Sequence, residues 1–157
     1  MALAADWYIQ EDDVLGTCEV VAEAGMGLVV DTVGSGSAMG DTGGQYTMIA
    51  NPSGKVFVGV LLNDVVNVDL TKFHLNYQKR ETNIGDPCWV MRKGWIVTDQ
   101  VTGSPTKGDT AYLTTSGVFT PTVSSTGGTV ATPKAGKFEG AVDENGFAKI
   151  SFNLPIV

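Results

Sequence analysis

The strongest constraint on the fold lies near the C-terminus, in the stretch "GKFEGAVDENGFAKISFNL". Ala148, Ile150, Phe152 and Leu154 alternate there with Phe147, Lys149, Ser151 and Asn153. Just upstream, Phe138, Gly140 and Val142 alternate with Lys137, Glu139 and Ala141. A period of two places apolar side chains on one face of an extended strand and polar ones on the other, a pattern no helix satisfies. Between the runs stands the pair Asn145-Gly146, and both residues tolerate the positive φ of a type I′ turn. The pattern therefore predicts a C-terminal hairpin of residues 136–142 and 147–154. "TCEVVAE" alternates in the same way, with Cys18, Val20 and Ala22 opposite Thr17, Glu19 and Glu23.

No window of helical length carries an apolar stripe. Residues 62–78 come nearest, but their β-branched residues and asparagines favour extended backbone. Only a short helical turn near 63–66 is expected. Twenty glycines in 157 residues fit a chain of strands and tight turns, long enough to bury one core. The expected fold is all-β: a small β-barrel or β-sandwich of short antiparallel strands, with an extended N-terminal arm and long Gly/Ser/Thr loops. Residues 1–13 read as the arm, with Leu3, Trp7, Tyr8 and Ile9 as anchors ahead of "EDD", and residues 14–157 as a single β domain. Aromatics in a terminal segment point to docking, since an undocked terminus is poorly ordered.

A weak internal repeat aligns "GDPCWVMRKG" (85–94) with "GDTAYLTTSG" (108–117). Each copy reads as a turn, a strand with a large side chain, a glycine turn and a return strand. "QVTGSPTKG" and "PTVSSTGGTVATPKAG" read as surface loops, in which Pro105, Pro121 and Pro133 discourage central strands.

The net charge of −7 is unevenly spread. Residues 1–71 hold ten acids against Lys55 alone, and the remainder holds nine bases against seven acids, with Lys72, Lys79, Arg80, Arg92 and Lys93 close together. An acidic chain without a long basic stripe is a poor nucleic-acid binder, because phosphate neutralisation supplies most of that affinity. The longest apolar run, "VFVGVLL", is far shorter than a membrane-spanning helix of ~20 residues. "MALAAD" lacks the basic start and apolar core of a secretory leader, so a soluble protein made in a cytoplasm is expected. Cys18 and Cys88 have no metal-ligand spacing and read as two small buried thiols.

Tests for chemistry are negative. The glycine-rich stretch "VGSGSAMGDTGG" (33–44) follows an apolar run, as a phosphate cradle would. The dinucleotide fingerprint would need a glycine where Met39 stands, and the best overlay of a Walker loop puts Asp41 in place of the lysine. A carboxylate there repels phosphate. His74, the one histidine, lies on the polar side of "FHLNYQ", and no nucleophile elbow accompanies it. "EDD" and "DEN" lack calcium-loop spacing. Trp7, Trp89 and Trp95 can stack on sugars, which keeps a carbohydrate-binding β module as the alternative, but core or interface packing accounts for them more simply. No catalytic residue, cofactor or metal ligand is expected. The residues singled out for an interface are Trp7, Tyr8, Ile9, Trp89 and Trp95.

The segments "ANPSGKVFVGVLLNDVVNVD", "NYQKRETNIGDPCWVMRKGWIVTD", "KGDTAYLTTSGVFTP" and "GKFEGAVDENGFAKISFNLP" together resemble the capsid decoration (cement) proteins of tailed phages. The resemblance, a profile of glycine turns and short strands over roughly residues 50–155, implies a β-rich and often trimeric structural virion protein. It implies binding to the outer surface of the head, with the major capsid protein as partner. Such a protein needs a rigid core and docking surfaces rather than an active site.

Overall fold

The computed structural model describes residues 3–18, 21–32, 45–47, 56–62, 67–68, 78–79, 81–82, 87–114, 116–123 and 133–154. These contain strands only. In chain order they are β1 (Leu3–Cys18), β2 (Ala22–Glu23), β3 (Gly27–Thr32), β4 (Gln45–Thr47), β5 (Phe57–Leu61) and β6 (Asn67–Val68). There follow β7 (Gln78–Lys79), β8 (Glu81–Thr82), β9 (Pro87–Thr98), β10 (Thr110–Leu113), β11 (Phe119–Thr120), β12 (Lys134–Phe138) and β13 (Ala148–Asn153). Residues 33–44 and 63–66 and His74 lie outside the described residues.

Nine strands form one sheet in the order β1-β4-β3-β5-β9-β13-β12-β10-β11, and β1 also pairs with β9. That extra ladder closes a ring, β1-β4-β3-β5-β9 and back to β1. Every ladder in the sheet is antiparallel except the short β1–β4 pairing at Thr17 and Cys18. The rest of the sheet curls as well. Gly27 N–H donates to Gly117 O at 2.9 Å, and Val101 bridges Phe119, so the β10–β11 end returns to the start of β3 and the end of β9. The result is a small, nearly closed all-β barrel, as expected from the alternation.

The wall formed by β3, β5 and β9 is buried on both faces. Leu28, Leu61 and Val90 join Cys18 and Ala22 in one cluster. Their neighbours Val29, Val60 and Met91 join a larger cluster with Ile96, Leu113, Phe119, Phe138, Ile150 and Phe152. A strand covered on both sides cannot alternate apolar with polar. This explains why β5 is the longest apolar run in the sequence. Phe119 and Phe152, with ring centroids 5.5 Å apart, and Phe57, stacked 6.1 Å from Phe152, fill the middle of the larger cluster.

The C-terminal hairpin forms, with Lys137 opposite Ser151 and Phe138 opposite Ile150. Its turn differs from the type I′ expectation. Only Gly146 of the Asn145-Gly146 pair has a positive φ, 87°. Asp143 N–H donates to Phe147 O at 2.8 Å, so residues 144–146 make a longer loop with glycine in its left-handed position. Asp143 explains the choice: its Oδ1 accepts from the N–H of Asn145 at 2.9 Å and of Phe147 at 2.8 Å. A carboxylate that satisfies two backbone donors stabilises that loop over the tighter turn.

The two copies of the internal repeat also diverge. The second folds as read: β10, a return in which Thr114 N–H donates to Val118 O at 2.8 Å and Gly117 has φ 76°, then β11. In the first copy β9 continues straight through Gly94. That glycine, at φ 139°, sits at a bulge where β1 crowds in, and its hypothetical Cβ would lie 2.0 Å from Tyr8 O. The next register shift has a consequence for the whole strand: Glu11 stands opposite Lys93 and Asp12 opposite Met91, so Arg92 is an extra residue on β9. Before it, Met91 points into the large core; after it, the even-numbered Ile96 and Thr98 are the buried residues.

Candidate functional site

The parity change at Arg92 decides what β9 shows to solvent. Thr98 and Ile96 point inward opposite the buried Ala148 and Ile150, so Lys93, Trp95 and Val97 share the outer face with Lys149, Ser151 and Asn153. The register then links a row of residues across four strands. Tyr8 of β1 stands opposite Trp95, Trp95 opposite Ser151, and Ser151 opposite Lys137. Directly opposite residues on one face touch, so this row is a continuous strip of surface.

Its chemistry is aromatic and basic. Tyr8 is 55% exposed, which is unusual for a side chain of its size. The Lys149 ammonium lies 3.5 Å from the centroid of the Trp95 ring, a cation–π contact. Lys137 and Lys134 are exposed on β12, and Lys93 is half-buried on β9. The described acid among them is Glu139, whose Oε1 accepts from Ser151 Oγ at 2.8 Å. Glu11 of β1 stands at the register position opposite Lys93. Beneath the strip, Ile96, Phe138 and Ile150 are fully buried, so the surface rests on a close-packed layer.

The residues singled out from the sequence separate into two groups. Tyr8 and Trp95 meet on the outer strip. Ile9 and Trp89 instead pack, half-buried, against the large core. Trp89 Nε1–H donates to Asp12 Oδ2 at 2.5 Å, which ties β1 to β9 away from the strip. Trp7 stands in register opposite Ile96, and its side chain lies outside the described residues. The segment expected to be an arm is thus in register with β9 from Leu3 onward, and β1 runs unbroken through residues 13 and 14. Among the described residues no strand covers the far edge of β1 before Thr17. Three register shifts that add residues to β1 make that edge irregular, a feature that discourages pairing with a foreign strand.

Two of the acidic residues weighed as ligands, and Asp109 besides, have structural work. Asp12 holds Trp89, Asp143 holds its turn, and Asp109 Oδ2 accepts from Thr106 N–H at 2.8 Å and Thr106 Oγ1 at 2.9 Å. Those bonds, the backbone one foremost, hold the Asp109 carboxyl below its ordinary value of 3.8. Among the described residues no three His, Cys, Asp or Glu side chains converge as a metal site, and no helix is long and apolar enough to cross a membrane.

Residues 8–153, from Tyr8 in β1 to the last residue of β13, match the family described as structural cement protein (E217 gp24/Pam3 gp6). The chain belongs to this family. No match to a curated protein was found. As a phage cement protein it is a structural component of the virion capsid that stabilises the shell, in agreement with the resemblance read from the glycine turns and strands. The family is a structural one rather than an enzyme class. The lysines of the outer strip were legible only in part: alternation put Lys137 and Lys149 on polar faces, but only the strand order brings them beside Trp95.

Proposed function

We propose that this cement protein binds the outer surface of the phage head as a homotrimer and stabilises it by bridging neighbouring major capsid protein subunits. The observation that carries the reading is the family match over residues 8–153. A barrel with two packed cores suits the task, because a rigid body loses little conformational entropy on docking. Several modest contacts per copy add through high effective concentration when they engage a fixed lattice together. Tyr8 and Trp95 are the contacts we favour from the original set, since large aromatics supply much of the energy at protein interfaces. The carbohydrate reading has less support, because Lys149 covers a face of Trp95 on which a sugar ring would stack and Trp89 packs against the core.

Cryo-electron microscopy of purified particles tests the proposal. Density for this chain is expected on the exterior, in three-fold clusters that each touch more than one capsid subunit. Density inside the shell, or on a single capsid subunit per copy, would refute it.

A further inference from the structure

The loop that joins β12 to β13 carries a reactive pair that the structural role of the barrel does not use. Of the asparagines in the chain, Asn145 alone is followed by glycine. An asparagine holds an electrophile, its side-chain Cγ, within reach of the backbone nitrogen of the next residue, and the two can close a five-membered ring. A side chain on that next residue hinders the closure, and glycine has none. Asn145 is exposed, and a Cβ placed on Gly146 meets nothing within 4 Å, so the space around the pair is open.

We infer that Asn145 is a site of spontaneous deamidation, at which this loop converts with age to aspartate and isoaspartate. The Gly146 nitrogen gives up its proton to solvent base and attacks Asn145 Cγ. The bond from Cγ to the side-chain nitrogen breaks, and that nitrogen takes up a proton and leaves as ammonia. Water then adds to either carbonyl carbon of the succinimide and opens the ring. One opening leaves aspartate in an ordinary backbone. The other leaves isoaspartate, whose main chain runs through the former side-chain carbon and is one carbon longer. Water is the only co-reactant.

The fold sets the rate. Gly146 N–H donates to Asp143 O at 3.1 Å, the longest of the four bonds that fix the loop. The nitrogen has to leave that carbonyl before it can attack, so the reaction draws on an opened loop. Asp143 Oδ1 opposes the opening, because it holds the N–H groups of Asn145 and Phe147 on either side of the reacting nitrogen. The product sets a third carboxylate directly after Asp143 and Glu144, and isoaspartate lengthens the span between the two N–H groups that Asp143 holds. In a virion, whose parts are not resynthesised, such a change accumulates for the life of the particle.

Peptide mapping of the aged full-length protein tests this. The protein is kept for weeks at mildly alkaline pH, folded or in urea, and digested with trypsin. The peptide of residues 138–149 should gain the mass of an NH2-to-OH exchange and split into two products of equal mass, more slowly in the folded chain than in the unfolded one. Exposed Asn153, followed by Leu154, is the internal control and should stay intact. D143A should react faster than wild type by on the order of tenfold, the factor implied by two lost bonds. D143N keeps an acceptor oxygen and should stay near the wild-type rate. Asn145 still intact in the folded protein when the unfolded chain has fully converted would overturn the inference. Equal rates in D143A and wild type would overturn the role given to Asp143. Aged wild type should also melt below N145Q aged alongside it, since glutamine cannot close the five-membered ring; a shared melting temperature after full conversion would overturn the structural consequence.

Discussion

Replacement of Gly94 by alanine probes the feature on which the barrel closure depends. Gly94 has φ 139°, and a Cβ there would lie 2.0 Å from Tyr8 O and 3.2 Å from Ile9 Cα. Two costs add. Backbone in a region that L-residues rarely occupy costs about 1–3 kcal/mol. Forcing a methyl group into backbone that has no room costs about another 1–3 kcal/mol. The sum, about 2–6 kcal/mol, is a large share of a typical stability of about 5–15 kcal/mol. For a chain of this size it corresponds to a melting temperature lower by roughly 5–20 °C. Two other glycines separate the terms. Gly108, at φ 95°, has no neighbour within 4 Å of its hypothetical Cβ, so G108A should show the strain alone. Gly140 has open space and no positive φ, so G140A should stay within about 0.5 kcal/mol of wild type. Thermal and urea unfolding of the three variants give the ranking directly. If G94A melts within about 1 °C of G140A, the close approach of β1 to β9 is wrong.

The other predictions concern the strands and turns around that closure. Deletion of residues 1–13 removes Ile9 from the core and Asp12 from Trp89, so it should lower the unfolding midpoint markedly; a truncated chain as stable as the full one would show a separable arm. D143A leaves the N–H groups of Asn145 and Phe147 without their carboxylate and should cost about 1–2 kcal/mol in urea unfolding, whereas no loss would mean that the loop forms without it. Asp109 contributes stability above its ordinary value of 3.8, and that contribution disappears as pH falls through its lowered folded-state value. Unfolding of wild type and D109N from about pH 6 to about pH 2 should therefore show a difference that narrows on the acid side; a gap constant with pH would refute the assignment.

What could be read from the sequence was whatever depended on neighbours in the chain. Alternation in residues 147–154 marked Ala148, Ile150, Phe152 and Leu154 as inward, and all four are buried. What could not be read depended on pairing at long range. The same Gly-Asp repeat makes a hairpin at Gly117 and a through-running strand at Gly94, where β1 presses against the backbone at Tyr8 O. Asn145-Gly146 signalled a turn correctly but not its length, which the carboxylate of Asp143 sets from outside the pair. The anchors of β1 suggested docking, and one of them, Ile9, docks within its own chain against the large core. Tyr8 and Trp95 were both picked out for their size. That they stand side by side follows from the β1–β9 register, which no local pattern encodes.

The central claim is that this chain is a cement protein whose attachment stabilises the head, and reconstitution tests it most directly. Particles stripped of the protein are heated or osmotically shocked with and without purified protein added back, and the DNA they retain is measured. The account predicts that stripped particles release their DNA at lower temperature and that added protein restores retention toward that of untreated particles. Stripped and reconstituted particles that release DNA at the same temperature would contradict it.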